Sequence, residues 1–135
     1  MNVSAEDRLL IIAGKPKSSL DDQEQARLLL QSGLSWKTLW EKGQIHGFVP
    51  LLYRFLSDLE PGSNDWGSVA NEFFQKMKTR SREVLKRNLL LGKELLHVYN
   101  LFQAQGIPAI AYKGPVLAEE VWEGIGFRHF EDLDF

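Results

Sequence analysis

The chain contains no cysteine. Disulfide bonds and thiolate metal sites are therefore excluded, and the absence fits a reducing compartment. Long apolar runs are missing too, because no stretch approaches the roughly 20 apolar residues that span a bilayer. The N-terminal segment has only a short apolar core and carries acids where a signal peptide carries bases. We therefore expect a cytoplasmic protein that makes no membrane contact.

Excess charge of either sign is absent as well. The formal net charge is −2 over 135 residues, so any contact with nucleic acid needs a local basic patch. The apolar fraction of 44%, with eight Phe and four Trp, indicates a packed core, and we assign the tryptophans to it. The length allows one ordinary domain, or a small domain with part of another.

Serines mark the predicted helix starts in the N-terminal half. Ser4, the pair Ser18–Ser19 and Ser35 each precede a segment with helical apolar periodicity, and serine is a favoured N-cap residue. Pro50 suits the first turn of a fourth helix. We therefore predict four short helices before the loop at residues 60–65.

A long helix is predicted from about Val69 to Gln105. Apolar residues recur there at steps of three, four or seven, with a bend expected near Thr79 or Gly92. Gly106 is placed as the residue that ends this helix, and Pro108 prevents its continuation. Within the helix, Asn88 falls on the apolar face, where it either braces the turn at Lys113 or satisfies a neighbour in its own helix.

A different pattern begins after Pro108. The apolar run 109–112 predicts a buried strand, and Lys113-Gly114-Pro115 turns the chain into a helix that reaches Trp122. Leu133 and Phe135 indicate a second strand. The order predicts an α+β fold, with helices first and an incomplete sheet after them.

Two acids give the strongest chemical signal. Asp132 and Asp134 lie two apart on a predicted strand, so their carboxylates project from the same face. Mg²⁺ is typically held by one or two carboxylates together with substrate phosphates and water. The pattern alone is weak, because acids at this spacing also occur on solvated loops.

The turn at Lys113-Gly114 is a candidate phosphate site. Backbone N–H groups at a helix N-terminus attract phosphate, glycine permits close approach, and lysine adds a charge. The alternative is a plain strand-to-helix turn with an exposed lysine. Six basic residues upstream form either a solvated helix surface or a path for a phosphate-bearing substrate: Lys76, Lys78, Arg80, Arg82, Lys86 and Arg87. The three histidines have no metal-ligand spacing.

These elements together resemble a known family. Ile107–Ala118, Arg128 and Glu131–Asp134 are similar to the motifs of the uncharacterised nucleotidyltransferase family of bacteria, which belongs to the DNA-polymerase-β-like superfamily. Arg87–Asn88 and His46–Tyr53 are similar to its helical N-terminal region. The resemblance implies Mg²⁺-dependent transfer of a nucleoside monophosphate from an NTP to an unknown acceptor, which is a protein, an RNA or a small molecule.

The resemblance also implies roles for individual residues. Lys113 and Gly114 would hold the nucleotide phosphates, where the superfamily more often has a Gly-Ser pair. Asp132 and Asp134 would be catalytic and would ligate two Mg²⁺ ions. Arg128 would contact a phosphate, or it pairs with a nearby glutamate instead.

The implied architecture is a helical bundle at residues 1–105, then the first strand-helix-strand of a nucleotidyltransferase palm at residues 106–135. The superfamily needs a third carboxylate on a later strand, so we expect a truncated chain that is inactive alone. The alternative is a non-catalytic helical interaction module or gene remnant. Its C-terminal strand would pair with a partner chain that completes the sheet, and it would bind no nucleotide.

Overall fold

The computed structural model describes residues 2–59, 66–111 and 114–127. These residues form α1 (Ala5–Ala13), α2 (Leu20–Gln31), α3 (Trp36–His46), α4 (Val49–Leu59), α5 (Ser68–Ala104) and α6 (Gly114–Trp122), followed by a short 3₁₀ helix at Ile125–Phe127. Helices hold 78% of the described residues, and none of these residues is in a strand. The part of the chain that the structure describes is therefore all-helical.

The predicted α+β fold class is wrong for the described residues. Residues 109–111, the described part of the strand predicted at 109–112, adopt no regular secondary structure, and Ile110 is 83% exposed. A strand requires a neighbour that pairs with its backbone groups, and none of the described residues forms a strand that could do so. The second predicted strand, at Leu133 and Phe135, lies outside the described residues.

The serine caps are confirmed. Ser4, Ser19 and Ser35 occupy the N-cap positions of α1, α2 and α3, and each side chain accepts a hydrogen bond from the backbone N–H three residues on, at 3.1, 3.0 and 3.2 Å. At α2 the bond is reciprocal, because Ser19 N donates to Asp22 Oδ2 at 2.9 Å. Each cap satisfies a backbone donor that has no partner inside its helix.

Helix α5 is a single helix of 37 residues, which corresponds to about 55 Å. It ends at Gly106 as predicted. Gly106 has a φ of +67°, its N–H donates to Gln103 O at 3.1 Å, and Ile107 N donates to Phe102 O at 2.9 Å. These two bonds satisfy carbonyls of the last turn in the way typical of a glycine-terminated helix. No helix among the described residues has both the length and the apolar character to cross a bilayer.

The chain forms two compact units, Met1–Arg80 and Ser81–Phe135, and their boundary falls within α5. The predicted division at residues 105 and 106 stays a prediction. The first unit has a core to which α1 to α4 and the first part of α5 contribute, and its largest fully buried side chains are Leu9, Leu39, Leu52, Leu56 and Met77. Trp36 and Trp66 stack with ring centroids 5.9 Å apart and pack against this core, as the sequence indicates.

The loop between α1 and α2 is fixed by one carboxylate. Lys15 Nζ donates to Asp22 Oδ1 at 2.7 Å, and Asp22 also accepts the backbone N–H of Ser19. The Lys15 ammonium, followed by the Ser19 N–H, lowers the pKa of Asp22 to about 2. The ionised form of Asp22 therefore joins the loop to the first turn of α2.

Removing a buried side chain from the core of the first unit should destabilise it. Leu56 is fully buried, and we expect Leu56→Ala to lower the free energy of unfolding by about 2–5 kcal/mol. The matched control is Leu28→Ala on α2, where the leucine is 59% exposed and the expected change is within about 0.5 kcal/mol. Urea unfolding followed by circular dichroism measures both, and equal effects would contradict the described core.

The Asp22 contacts predict a dependence of stability on pH. Because the folded-state pKa is lower than the unfolded one, the ionised carboxylate stabilises the fold above about pH 4. This contribution is lost as the pH falls toward the folded pKa of about 2. We expect the decrease in Tm between pH 4 and pH 2 to be smaller in Asp22→Asn than in the wild type. Asp21→Asn, next to it on the exposed side of α2, should behave as the wild type does.

Candidate phosphate and metal site

Gly114 is the one predicted site residue that the structure describes. It is the first residue of α6, it is buried, and its φ is +47°. That backbone conformation favours glycine, because a side chain there contacts its own backbone. Lys113, Arg128, Asp132 and Asp134 lie outside the described residues, so their predicted roles stay predictions.

Helix α6 and the 3₁₀ helix pack against each other. Pro115 and Ala118 are buried beside Gly114. The chain turns after α6 at Glu123, which has a φ of +55° and whose N–H donates to Glu119 O at 3.0 Å. The 3₁₀ helix then leads directly to Arg128 in the sequence. The described part of the second unit therefore contains Gly114 and the residues that directly precede Arg128 in the sequence.

Asn88 joins α5 to the 3₁₀ helix. Its side chain is fully buried, and Nδ2 donates to the backbone carbonyl of Ile125 at 2.6 Å. Sequence reasoning identified Asn88 as a buried amide but missed this partner, which lies 37 residues away. No local sequence pattern predicts such a contact. A polar residue on the apolar face of a helix indicates only that it has a hydrogen-bond partner.

Two glycines allow the 3₁₀ helix to lie close to α5. A Cβ added at Gly92 would lie 2.9 Å from Ile125 Cδ1, and one added at Gly126 would lie 2.9 Å from Leu85 Cδ1. Heavy atoms in proteins do not approach so closely without displacement. Gly92, where the sequence predicted a bend, lies inside the continuous helix α5 and makes room for Ile125.

An apolar groove of about 620 Å³ lies between α5 and α6 in the second unit. Leu89, Leu96 and Val116 are among its lining residues, and the two leucines are 54% and 63% exposed. Lys93 stands at its α5 side and Glu119 at its α6 side. The groove begins next to Gly114, because Pro115 also lines it.

Of the six basic residues that the sequence analysis named in α5, Lys76 has contacts that explain its position. Lys76 Nζ lies 3.7 Å from Glu72 Oε1 and 4.8 Å from the centre of the Phe73 ring. These contacts favour the solvated-surface interpretation for this residue. Among the described residues, no three His, Asp or Glu side chains gather in an arrangement that would hold a metal ion.

Comparison with known families gives the class of the protein. Residues 32–135 match the family described as Uncharacterised nucleotidyltransferase. The match covers most of the chain and includes α3 to α6, the 3₁₀ helix and the predicted acidic pair, and the chain belongs to this family. The resemblance inferred from the sequence motifs is therefore confirmed. Comparisons with curated proteins and with solved structures gave no match.

The close approach at Gly126 can be tested by a substitution and its relief. Gly126→Ala brings a Cβ within 2.9 Å of Leu85 Cδ1 and 3.4 Å of Leu85 Cβ, and we expect it to cost about 1–3 kcal/mol of stability. Leu85→Ala alone should cost less, because Leu85 is 40% exposed.

The double variant Gly126→Ala with Leu85→Ala removes the obstructing side chain and should recover much of the loss. Chemical denaturation of the three variants measures these differences. Additive losses in the double variant would contradict the contact.

Proposed function

We propose that the chain supplies the phosphate-binding and metal-binding groups for transfer of a nucleoside monophosphate from an NTP to an acceptor. The observation that carries this proposal is membership of a nucleotidyltransferase family over residues 32–135. In this reaction an acceptor oxygen forms a bond to the α-phosphorus. The bond from that phosphorus to pyrophosphate breaks, and the acceptor proton passes to a base.

Asp132 and Asp134 are the proposed metal ligands and catalytic carboxylates. Carboxylate oxygens are donors that Mg²⁺ prefers, so these two residues would supply two of the three carboxylates implied for a pair of Mg²⁺ ions shared with the substrate phosphates. Bound Mg²⁺ supplies charge neutralisation at the α-phosphate and at the departing pyrophosphate. The two residues would hold the metal beside the nucleotide phosphates.

Gly114 and its neighbours are the proposed phosphate-binding turn. The first N–H groups of a helix have no partner within it and carry a partial positive charge, which favours an anion. Gly114 has a positive φ, which glycine adopts at the least cost, and it lies at the first position of α6. Lys113, just before it, and Arg128, just after the 3₁₀ helix, add fixed positive charge that pairs with phosphate oxygens.

The proposed acceptor is a protein side chain, an RNA end or a small molecule, and the proposed location is the cytoplasm. A second candidate function is the binding of a partner chain along residues 107–111. Ile107 and Ile110 are 50% and 83% exposed there, and a partner strand would cover them. A protein with that function alone binds no nucleotide, so one experiment separates the two.

Metal-dependent nucleotide binding is the expected result. Equilibrium dialysis of the chain with each of the four NTPs should show binding to at least one that requires Mg²⁺. The variant with Asp132→Asn and Asp134→Asn should lose the Mg²⁺-dependent part, because the amides carry no charge for the metal. Circular dichroism checks that its helices remain.

A pair of glycine variants serves as the matched control. Gly114→Ala and Gly106→Ala place a side chain at φ values of +47° and +67°, so both introduce backbone strain in the second unit. Only Gly114→Ala should weaken NTP binding. Binding that is independent of Mg²⁺, or unchanged when both acids are neutralised, would contradict the proposed site, and the absence of any NTP binding would favour the second candidate function.

A further inference from the structure

Asn88 makes an unusual contact for a residue in the middle of a long helix. A buried amide on an apolar face lowers stability unless its polar atoms find partners. Asn88 is fully buried, and Nδ2 donates to Ile125 O at 2.6 Å. Val84 and Gly92, one turn before and after it, belong to the same face of α5. This face therefore presents a buried donor that binds the Ile125 carbonyl.

The carbonyl that Asn88 holds belongs to a very short element. A 3₁₀ helix of three residues contributes little stability of its own, because its hydrogen bonds are few and poorly aligned. Its position therefore depends on what it packs against. Gly92 and Gly126 let it approach α5 so closely that a methyl group at either position would lie 2.9 Å from a neighbouring side-chain atom.

We propose that Asn88 is a positioning residue of the nucleotidyl-transfer site. By holding the carbonyl of Ile125, it fixes the 3₁₀ helix that directly precedes Arg128 in the sequence, and the proposed role of Arg128 is to bind a nucleotide phosphate. This role rests on the proposed function. Arg128 follows Phe127 directly in the sequence, so only two residues separate it from the anchored Ile125. A planar guanidinium binds phosphate through directed N–H bonds, which makes its placement matter.

The test is a double-mutant cycle on NTP affinity in the presence of Mg²⁺. Asn88→Leu keeps the branching of the side chain but removes the donor. We expect it to weaken NTP binding on the order of tenfold, the lower end of what partners that orient a binding residue contribute. Because Asn88 acts through Arg128, the double variant with Arg128→Ala should bind no more weakly than Arg128→Ala alone. Independent, multiplicative losses would overturn the proposal.

A control separates this role from general destabilisation. Val84→Ala removes a buried side chain, 3% exposed, from the same face of α5 and leaves the hydrogen bond in place. At a temperature where circular dichroism shows each variant folded, Val84→Ala should bind the NTP as the wild type does. Equal weakening by Val84→Ala and Asn88→Leu would contradict a positioning role.

A second variant covers the case in which Asn88→Leu does not fold. Gly126→Ala leaves Asn88 untouched but displaces the same turn, so it should weaken NTP binding too, and adding Leu85→Ala should restore it. Unchanged affinity in Gly126→Ala would overturn the proposal.

Hydrogen exchange supplies a readout that needs no nucleotide. The amides of residues 125–127 should exchange faster in Asn88→Leu than in Val84→Ala, and equal rates would contradict the anchoring. Failure of the wild-type chain to bind any NTP contradicts the proposed function and this role with it. Normal NTP binding by Asn88→Leu contradicts the role alone.

Discussion

The hydrogen bond from Asn88 Nδ2 to Ile125 O is the interaction on which the described part of the second unit depends. It joins the middle of α5 to the 3₁₀ helix, which precedes Arg128 and the pair Asp132 and Asp134 in the sequence. A fully buried amide cannot exchange this partner for water, so breaking the bond leaves polar groups unsatisfied in an apolar setting. The bond therefore fixes the position of the 3₁₀ helix more strongly than the few hydrogen bonds within its three residues do.

Glycine makes the close packing of the 3₁₀ helix against α5 possible, and it also lowers stability. Gly92 and Gly126 remove the side chains that would keep the 3₁₀ helix away from α5, and Gly114 adopts the left-handed backbone at the start of α6. Each glycine raises the entropy lost on folding, by roughly 0.5–1 kcal/mol in a helix such as α5. Gly92 and Gly126 therefore lower stability through this entropy while permitting close packing of the 3₁₀ helix against α5.

Local sequence signals were sufficient to predict much of the helical structure. Ser4, Ser19 and Ser35 were predicted as caps and Gly106 as a helix end, because capping depends on residues within a few positions of each other. The strand predicted at 109–112 is wrong for the described residues 109–111, since a strand depends on a neighbour that no local pattern supplies. The Asn88 partner was missed for the same reason. The family was correctly inferred from motifs, and the match over residues 32–135 confirms it, while the roles of Lys113, Arg128, Asp132 and Asp134 remain predictions.

We propose above all that this chain binds a metal–nucleotide complex through Asp132 and Asp134. Electron paramagnetic resonance of Mn²⁺, used in place of Mg²⁺, reports the free ion directly. Adding the chain to Mn²⁺ and an NTP should reduce the free Mn²⁺ signal further than the NTP alone does, and the variant with both acids changed to asparagine should not. An equal reduction by the wild type and that variant would contradict the claim.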